Sequence, residues 1–254
     1  DFEALDFTYD QPDVVALTWF YKELGLTKLL RKLEVEFGTT TLEDAAPQPA
    51  PVLQGEECPD LETAIAHLSA IDSERCVMVC EVGDDKVPVR FSWRANGENR
   101  TVALADRMAW DRLVDALDAL FEKGKTMVLT DDAKKLAHAL LLAGCMTEQV
   151  KFDVVLSDYL LQPEGGEHNV HRAGEIYLGK TLPEAEMERI YATLEIIEDV
   201  YPIMRSKMAE GGCLNLYLEV ELPLAWILAQ MEIVGVRVDT PYLEKLQVEF
   251  DERI

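Results

Sequence analysis

Cys76-Val-Met-Val-Cys-Glu-Val82, Val87-Pro-Val-Arg-Phe-Ser-Trp93 and Arg100-Thr-Val-Ala-Leu-Ala105, with Asn96-Gly97 between the last two, are the runs on which the fold turns. The first is apolar and reads as a largely buried strand. The other two read as its neighbours, because Asn-Gly supplies the two positive-φ positions of a tight hairpin turn. A meander of three antiparallel strands results. Downstream, Trp110 to Phe121 carries apolar residues at helical spacing, and Thr126 to Leu129 reads as a brief buried strand. Asp132 to Leu142 reads as a helix stopping at Gly144, and Phe152 to Leu161 as another with Asp153 as its N-cap.

A three-strand meander followed by helix, strand and helix is the order of a ribonuclease-H-like α/β fold, a mixed sheet flanked by helices. Upstream, Asp60 to Ile71 suits a short helix, and Thr39 to Glu57 reads as a linker because Pro47, Pro49 and Pro51 repeatedly remove backbone donors. Val14 to Leu33 shows helical periodicity interrupted by Gly25, which predicts two short helices. Past Gly179 the chain reads as all-helical. Glu184 to Met208 forms one long helix, bent or broken near Pro202 and ended by Gly211-Gly212; a further helix runs to Gly235 with Pro223 in its first turn. The expected partition is therefore a helical segment and linker over 1–57, the α/β domain over 58–209 and a helical segment over 210–254.

Of the 254 residues 48% are hydrophobic, enough for a substantial core. Acidic residues outnumber basic ones 48 to 24, giving a formal net charge of −24. A surface of that sign repels phosphate, and no dense basic run offsets it, so strong autonomous DNA binding is disfavoured. The five cysteines, Cys58, Cys76, Cys80, Cys145 and Cys213, show no CxxC pair and no histidine at zinc-ligand spacing. Cys76 and Cys80 share one strand face, which indicates core packing. The acidic start lacks the basic region of a signal peptide, and no apolar run reaches the roughly 18 residues of a membrane helix. A cytoplasmic location with no membrane partner is expected.

Several segments, in this order, resemble bacterial family A DNA polymerases. Phe20-Tyr-Lys-Glu-Leu-Gly-Leu-Thr-Lys-Leu-Leu-Arg-Lys-Leu33 looks like the segment that follows the family's 5′ nuclease. Asp132-Ala-Lys-Lys-Leu-Ala-His-Ala-Leu140, Phe152-Asp-Val-Val-Leu-Ser-Asp-Tyr-Leu-Leu-Gln-Pro163 and Tyr177-Leu-Gly179 follow the order of its 3′–5′ exonuclease-like domain. Tyr217-Leu-Glu-Val-Glu-Leu-Pro-Leu224, followed by Met231-Glu-Ile-Val-Gly-Val-Arg-Val-Asp239, is similar to the join between exonuclease and polymerase domains. The resemblance implies that residues 210–254 begin a polymerase domain, and that the parent enzyme acts in DNA replication and repair and uses Mg2+. It also implies that the chain meets DNA through the complete polymerase, packs on the polymerase domain and is monomeric.

Proofreading in this family uses two metal ions held by carboxylates, because phosphodiester hydrolysis needs a generated hydroxide and a clamp on the leaving oxygen. The motifs are an Asp-x-Glu on the first strand, an Asp after a second motif, and a Tyr-x-x-x-Asp on a later helix. The resemblance assigns these positions to Cys80 and Val82, to Leu136, and to Met187 and Tyr191. None is a carboxylate. Sliding the strand by one offers Glu81 but puts Gly83 at the second position; sliding the helix by one turn makes Tyr191 the orienting residue and Glu195 a ligand. Neither rebuilds a cluster, so no catalytic or metal-binding residue and no cofactor is expected here, and the domain reads as a structural one. An active exonuclease in another register and a stand-alone acidic interaction module are the alternatives.

Other candidates have plainer readings. Asp131, Asp132, Asp153 and Asp158 read as helix-start acids, which accept backbone N–H bonds. His168 and His171 lack an accompanying acid or cysteine cluster and read as a loop or helix-start pair. Gly165-Gly166 and Gly211-Gly212 lack phosphate-loop context and read as turns. Lys134, Lys135, Lys151 and Arg172 read as solvated surface.

Overall fold

The computed structural model describes residues 12–23, 26–37, 48–49, 54–84 and 86–253. These fall in two compact units, Asp1–Ala46 and Pro47–Ile254. The first holds the two expected helices, α1 (Val14–Glu23) and α2 (Thr27–Phe37). Gly25 and the linker residues 38–47 and 50–53 lie outside the described residues.

The second unit is built on a six-stranded mixed sheet whose strands lie in the order Gly55–Glu57 (β2), Glu98–Ala103 (β5), Pro88–Ala95 (β4), Arg75–Val82 (β3), Met127–Thr130 (β6) and Val150–Asp153 (β7). Its centre is the expected meander: β3 (Arg75–Val82), β4 (Pro88–Ala95) and β5 (Glu98–Ala103). Asn96 and Gly97 take φ of 53° and 80°, the two positive values the hairpin requires. Their turn fixes the β4–β5 register, with Phe91 opposite Val102 and Trp93 opposite Arg100. On the other side Cys80 faces Phe91, and Glu81 faces Arg90. The strand β6 (Met127–Thr130) runs parallel to β3, and β7 (Val150–Asp153) parallel to β6.

Aspartates start most of the flanking helices. Asp60, Asp106, Asp132 and Asp153 each accept from a main-chain N–H three residues on, capping α3 (Leu61–Ser69), α4 (Arg107–Glu122), α5 (Ala133–Leu142) and α6 (Val154–Leu161). Such a cap satisfies one of the four donors a helix start leaves unpaired. The buried stripe of α4, Trp110, Leu113, Val114, Leu117, Leu120 and Phe121, follows the 3.6-residue period. The Trp110 indole lies 5.7 Å from the Phe91 ring and donates 2.9 Å to the Ala139 carbonyl. This places α4 and α5 together on the Phe91 face of the sheet.

Four expectations change. Phe152 and Asp153 end strand β7 and do not open a helix; Asp153 still caps α6. Gly55–Glu57 forms β2, which pairs in parallel with β5, so those residues belong to the sheet and not to the linker. Lys180–Thr181 forms β8, paired with β1 (Gln48–Pro49), so the chain past Gly179 is not wholly helical. Finally, of the bend or break expected near Pro202 the break does not occur, since α8 (Glu186–Glu210) is continuous through it. Val200, Met204 and Met208 are buried on either side of that proline, and their packing outweighs the one lost hydrogen bond.

Between α6 and β8 lie α7 (Val170–Ala173) and a π-helical turn, Gly174–Leu178. After α8 come α9 (Leu214–Leu216), a second π turn (Tyr217–Glu221), α10 (Leu222–Val234) and α11 (Thr240–Asp251). Tyr217, Leu222 and Ala225 are part of the main core, while Trp226 and Ala229 pack on Ala137 and Leu141 of α5. The boundary expected near residue 210 is thus not a break in packing. Among the described residues no single helix is long and apolar enough to cross a membrane.

Candidate functional site

Alternation along β3 and β4 decides which side chains can share a site. Arg90, Ser92 and Arg94 point away from Phe91 and Trp93, and both arginines reach α8. The Arg94 Nε lies 2.5 Å from Glu198, and the Arg90 Nη2 lies 3.1 Å from Glu186. Hence α8 covers the face that carries Val77, Val79 and Glu81, their cross-strand partners being Arg94, Ser92 and Arg90. Cys80, opposite Phe91, points to the α4–α5 face. Its thiol is pushed up to about 12 by burial, with Lys135, Asp131 and Asp132 as its charged neighbours.

The five positions assigned from the sequence therefore divide between two sides of the sheet. Cys80 and the buried Leu136 lie on the α5 side. Val82 lines a cleft of about 180 Å³ there with Lys86, Asp132, Lys134, Lys135, His138 and Glu232. Met187 and Tyr191 lie on the α8 side. The structure does not bring Cys80 and Val82 to the helix that bears Met187 and Tyr191. The β3 residues that do face it are Val77, Val79 and Glu81, and Val79 and Glu81 are the pair nearest Met187, an arrangement that a two-residue repeat permits once the covering helix is known.

On the α8 side Arg90 is the centre of a cluster. Its Nε is 3.3 Å from Glu81, its Nη2 3.1 Å from Glu186 and its Nη1 4.0 Å from Glu57 of β2. The same Nη1 lies 3.7 Å from the Met187 sulfur. Tyr191 sits farther along α8 with its ring flat against Gly55, where an added Cβ would come within 2.5 Å of ring carbons. Burial is the main cause raising the Tyr191 hydroxyl, followed by Glu57 and Cys58, with Arg90 opposing. Glu195, one turn on, has a buried Oε2 with no hydrogen-bond partner among the described residues. Arg90 was not singled out from the sequence. The signal was present, since a hairpin that pairs Cys80 with Phe91 must also set Arg90 opposite Glu81.

The remaining acids have structural partners. Asp132 caps α5, and Asp131 pairs with Lys135 and accepts from Thr130. Asp153, 2% exposed, caps two helices at once: Oδ1 accepts from Leu156 N at 2.8 Å and Oδ2 from Ala133 N at 2.6 Å. Burial nevertheless pushes its pKa up to about 7, the two N–H donors opposing and Asp132 and Asp131 adding to the rise. Asp158 is not a helix-start acid. It is buried within α6 and held by His168 Nδ1 at 2.6 Å, Arg172 Nε at 3.0 Å and Tyr177 Oη at 3.2 Å. That network also removes Arg172 from the solvated surface, while His171 faces Glu175 at 3.8 Å. Among the described residues no three His, Cys, Asp or Glu side chains converge in a way that could hold a metal ion.

Comparison with known proteins places this geometry. A DNA polymerase I of Streptococcus pneumoniae is 27% identical over 268 residues, and one from Geobacillus stearothermophilus is 30% identical over 275 residues; each match covers 96% of this chain. The chain is homologous to bacterial DNA polymerase I. It spans 28% of the length of both those relatives. No family model matches it. Among solved structures, the POL domain of Pol1 from M. smegmatis, in complex with DNA primer-template and dNTP, has a TM-score of 0.61 at 23% identity. That match covers 78% of this chain and 35% of that one. Escherichia coli RNase D, an exoribonuclease involved in structured RNA processing, has a TM-score of 0.55 at 12% identity, covering 70% of this chain and 51% of that one. Brucella melitensis NrnC has a TM-score of 0.53 at 10% identity, covering 70% and 91%. These likenesses show the fold, the ribonuclease-H-like one expected from the meander and the helix–strand–helix run.

Proposed function

We propose that the chain is the exonuclease-like segment of a DNA polymerase I acting in DNA replication and repair, and that this domain does not hydrolyse nucleic acid but serves as a structural one. The observation that carries the reading is the residue set at the junction of β3 and α8. Hydrolysis by two metal ions needs a cage of acidic oxygens. The junction offers Val79, Met187 and Tyr191 where ligands are needed, and its acids Glu57, Glu81 and Glu186 are gathered on one guanidinium. Leu136, at the position of the second motif, is fully buried and has no oxygen to give. Carboxylates turned onto an arginine and neutralised by it generate no hydroxide.

In this reading the domain packs on the polymerase domain through α10, and DNA is met by the complete, cytoplasmic and monomeric enzyme, whose polymerase uses Mg2+. The net charge of −24 agrees with a segment that does not grip nucleic acid by itself. The test is incubation of the purified chain with end-labelled single-stranded DNA and Mg2+ or Mn2+. No trimming above a chelator-treated control is expected; chelator-sensitive shortening from the 3′ end would overturn the reading.

A further inference from the structure

The two-metal centre implied by the fold and the residues at the β3–α8 junction do not fit each other, and the way they fail is specific. Arg90 does not merely lie nearby. It extends from β4 into the space between β2, β3 and α8 and meets a side chain from each: Glu57, Glu81 and Glu186, with Met187 closing the fourth side. The arginine side chain is 19% exposed, whereas the three carboxylates are each about half exposed, at 56%, 49% and 62%. The acids thus wrap a cation that is more buried than they are.

We propose that the Arg90 guanidinium is the resident cation of this junction, taking the place of divalent metal and tying the edge strand, the central strand and α8 together. This rests on the functional reading above. A guanidinium is planar, delocalised and always charged, so it can satisfy several acids at distances near 3 Å. Magnesium instead demands near-octahedral oxygens at about 2.1 Å. The two cannot share one pocket, because a second positive charge would sit within a few ångströms of the first. Contacts of α8 elsewhere, Arg94 with Glu198 and Lys180 with Asp199, keep the helix docked when Arg90 is changed.

The experiment measures Mn2+ uptake by electron paramagnetic resonance, and thermal unfolding with and without Mn2+, in the 254-residue chain. Wild type and Glu186→Gln are expected to bind Mn2+ alike, with no shift in Tm from a site at this junction. Arg90→Met leaves the acids uncompensated, so its Tm should fall by about 2–6 °C. With the guanidinium no longer holding them apart, the three half-exposed glutamates are free to close on an ion, so the variant should gain one Mn2+ site, and the ion should restore part of the lost Tm. Arg90→Met/Glu186→Gln should lose that gain, and Arg90→Lys should gain nothing. A merely structural arginine would lower Tm without creating the Mn2+ response, and that result overturns the proposal. So does a wild-type Mn2+ site that Glu186→Gln removes. Such a Glu186-dependent wild-type site without hydrolysis defeats this inference alone, whereas chelator-sensitive trimming defeats the functional reading beneath it.

Discussion

Replacing Asp153 with asparagine sets two opposing forces on one buried carboxyl against each other. Its oxygens accept from the first N–H of α5 at 2.6 Å and from Leu156 N in α6 at 2.8 Å, which favours the anion. Burial and the nearby Asp131 and Asp132 favour the neutral acid, and they win, setting the pKa at about 7 against 3.8 for the free group. A carboxyl whose folded pKa is raised contributes stability that is complete below pH 3.8 and is lost as the pH rises through 7. The slope is at most about 1.4 kcal/mol per pH unit, so the whole window is worth on the order of 4 kcal/mol. Asparagine cannot titrate, and it accepts from only one of the two helix starts, a constant cost of roughly 1–3 kcal/mol. Urea denaturation followed by near-ultraviolet circular dichroism, from pH 4 to 8, should therefore show the wild type losing ground to Asp153→Asn as pH rises, with the difference levelling above 7. Taking the difference between the two proteins cancels the histidines, which titrate equally in both. A pH-independent difference, or a wild type that gains on the variant over this range, would mean that the two N–H donors outweigh burial.

Two more outcomes follow from packing and burial. Gly55→Ala drives a Cβ to within 2.5 Å of the Tyr191 ring and should cost about 1–3 kcal/mol, a loss relieved by adding Tyr191→Leu; chemical denaturation of the single and double variants checks this. Ellman titration of the native chain should label Cys213, which is partly exposed, while Cys76 and Cys80, fully buried and with burial raising both thiols, should react only after unfolding.

Where a local signal has one physical meaning, sequence and structure agree. Asn96-Gly97 can hardly be anything but a tight hairpin, and Asp60, Asp132 and Asp153 cap the helices their positions suggest. The misses are elements whose identity depends on distant partners. Gly55-Glu-Glu57 has no apolar residue, as suits an edge strand whose pairing is main-chain only, and nothing local separates it from a linker. Val150–Asp153 is four residues long and merges with the helix that follows, so the strand was absorbed into that helix. The site suffered in the same way. Strand periodicity says that Cys80 and Val82 share a face and that Val79 and Glu81 share the other, but only the placement of α8 says which pair it meets. Arg90 gains its meaning from Glu57, Glu81 and Glu186, which come from three separate stretches of chain.

Tyr217 holds a last consequence. Its hydroxyl oxygen accepts from the Asp153 main-chain N–H at 2.7 Å, inside the core, at the point where strand β7 ends and the capping carboxylate begins. Any rotation of the segment that carries Tyr217 must pull on that peptide, and through the carboxylate on the first turns of both α5 and α6. The helix α10, which follows directly on that turn, is therefore mounted on a stiff spar rooted in the sheet, and its orientation is inherited from the strands.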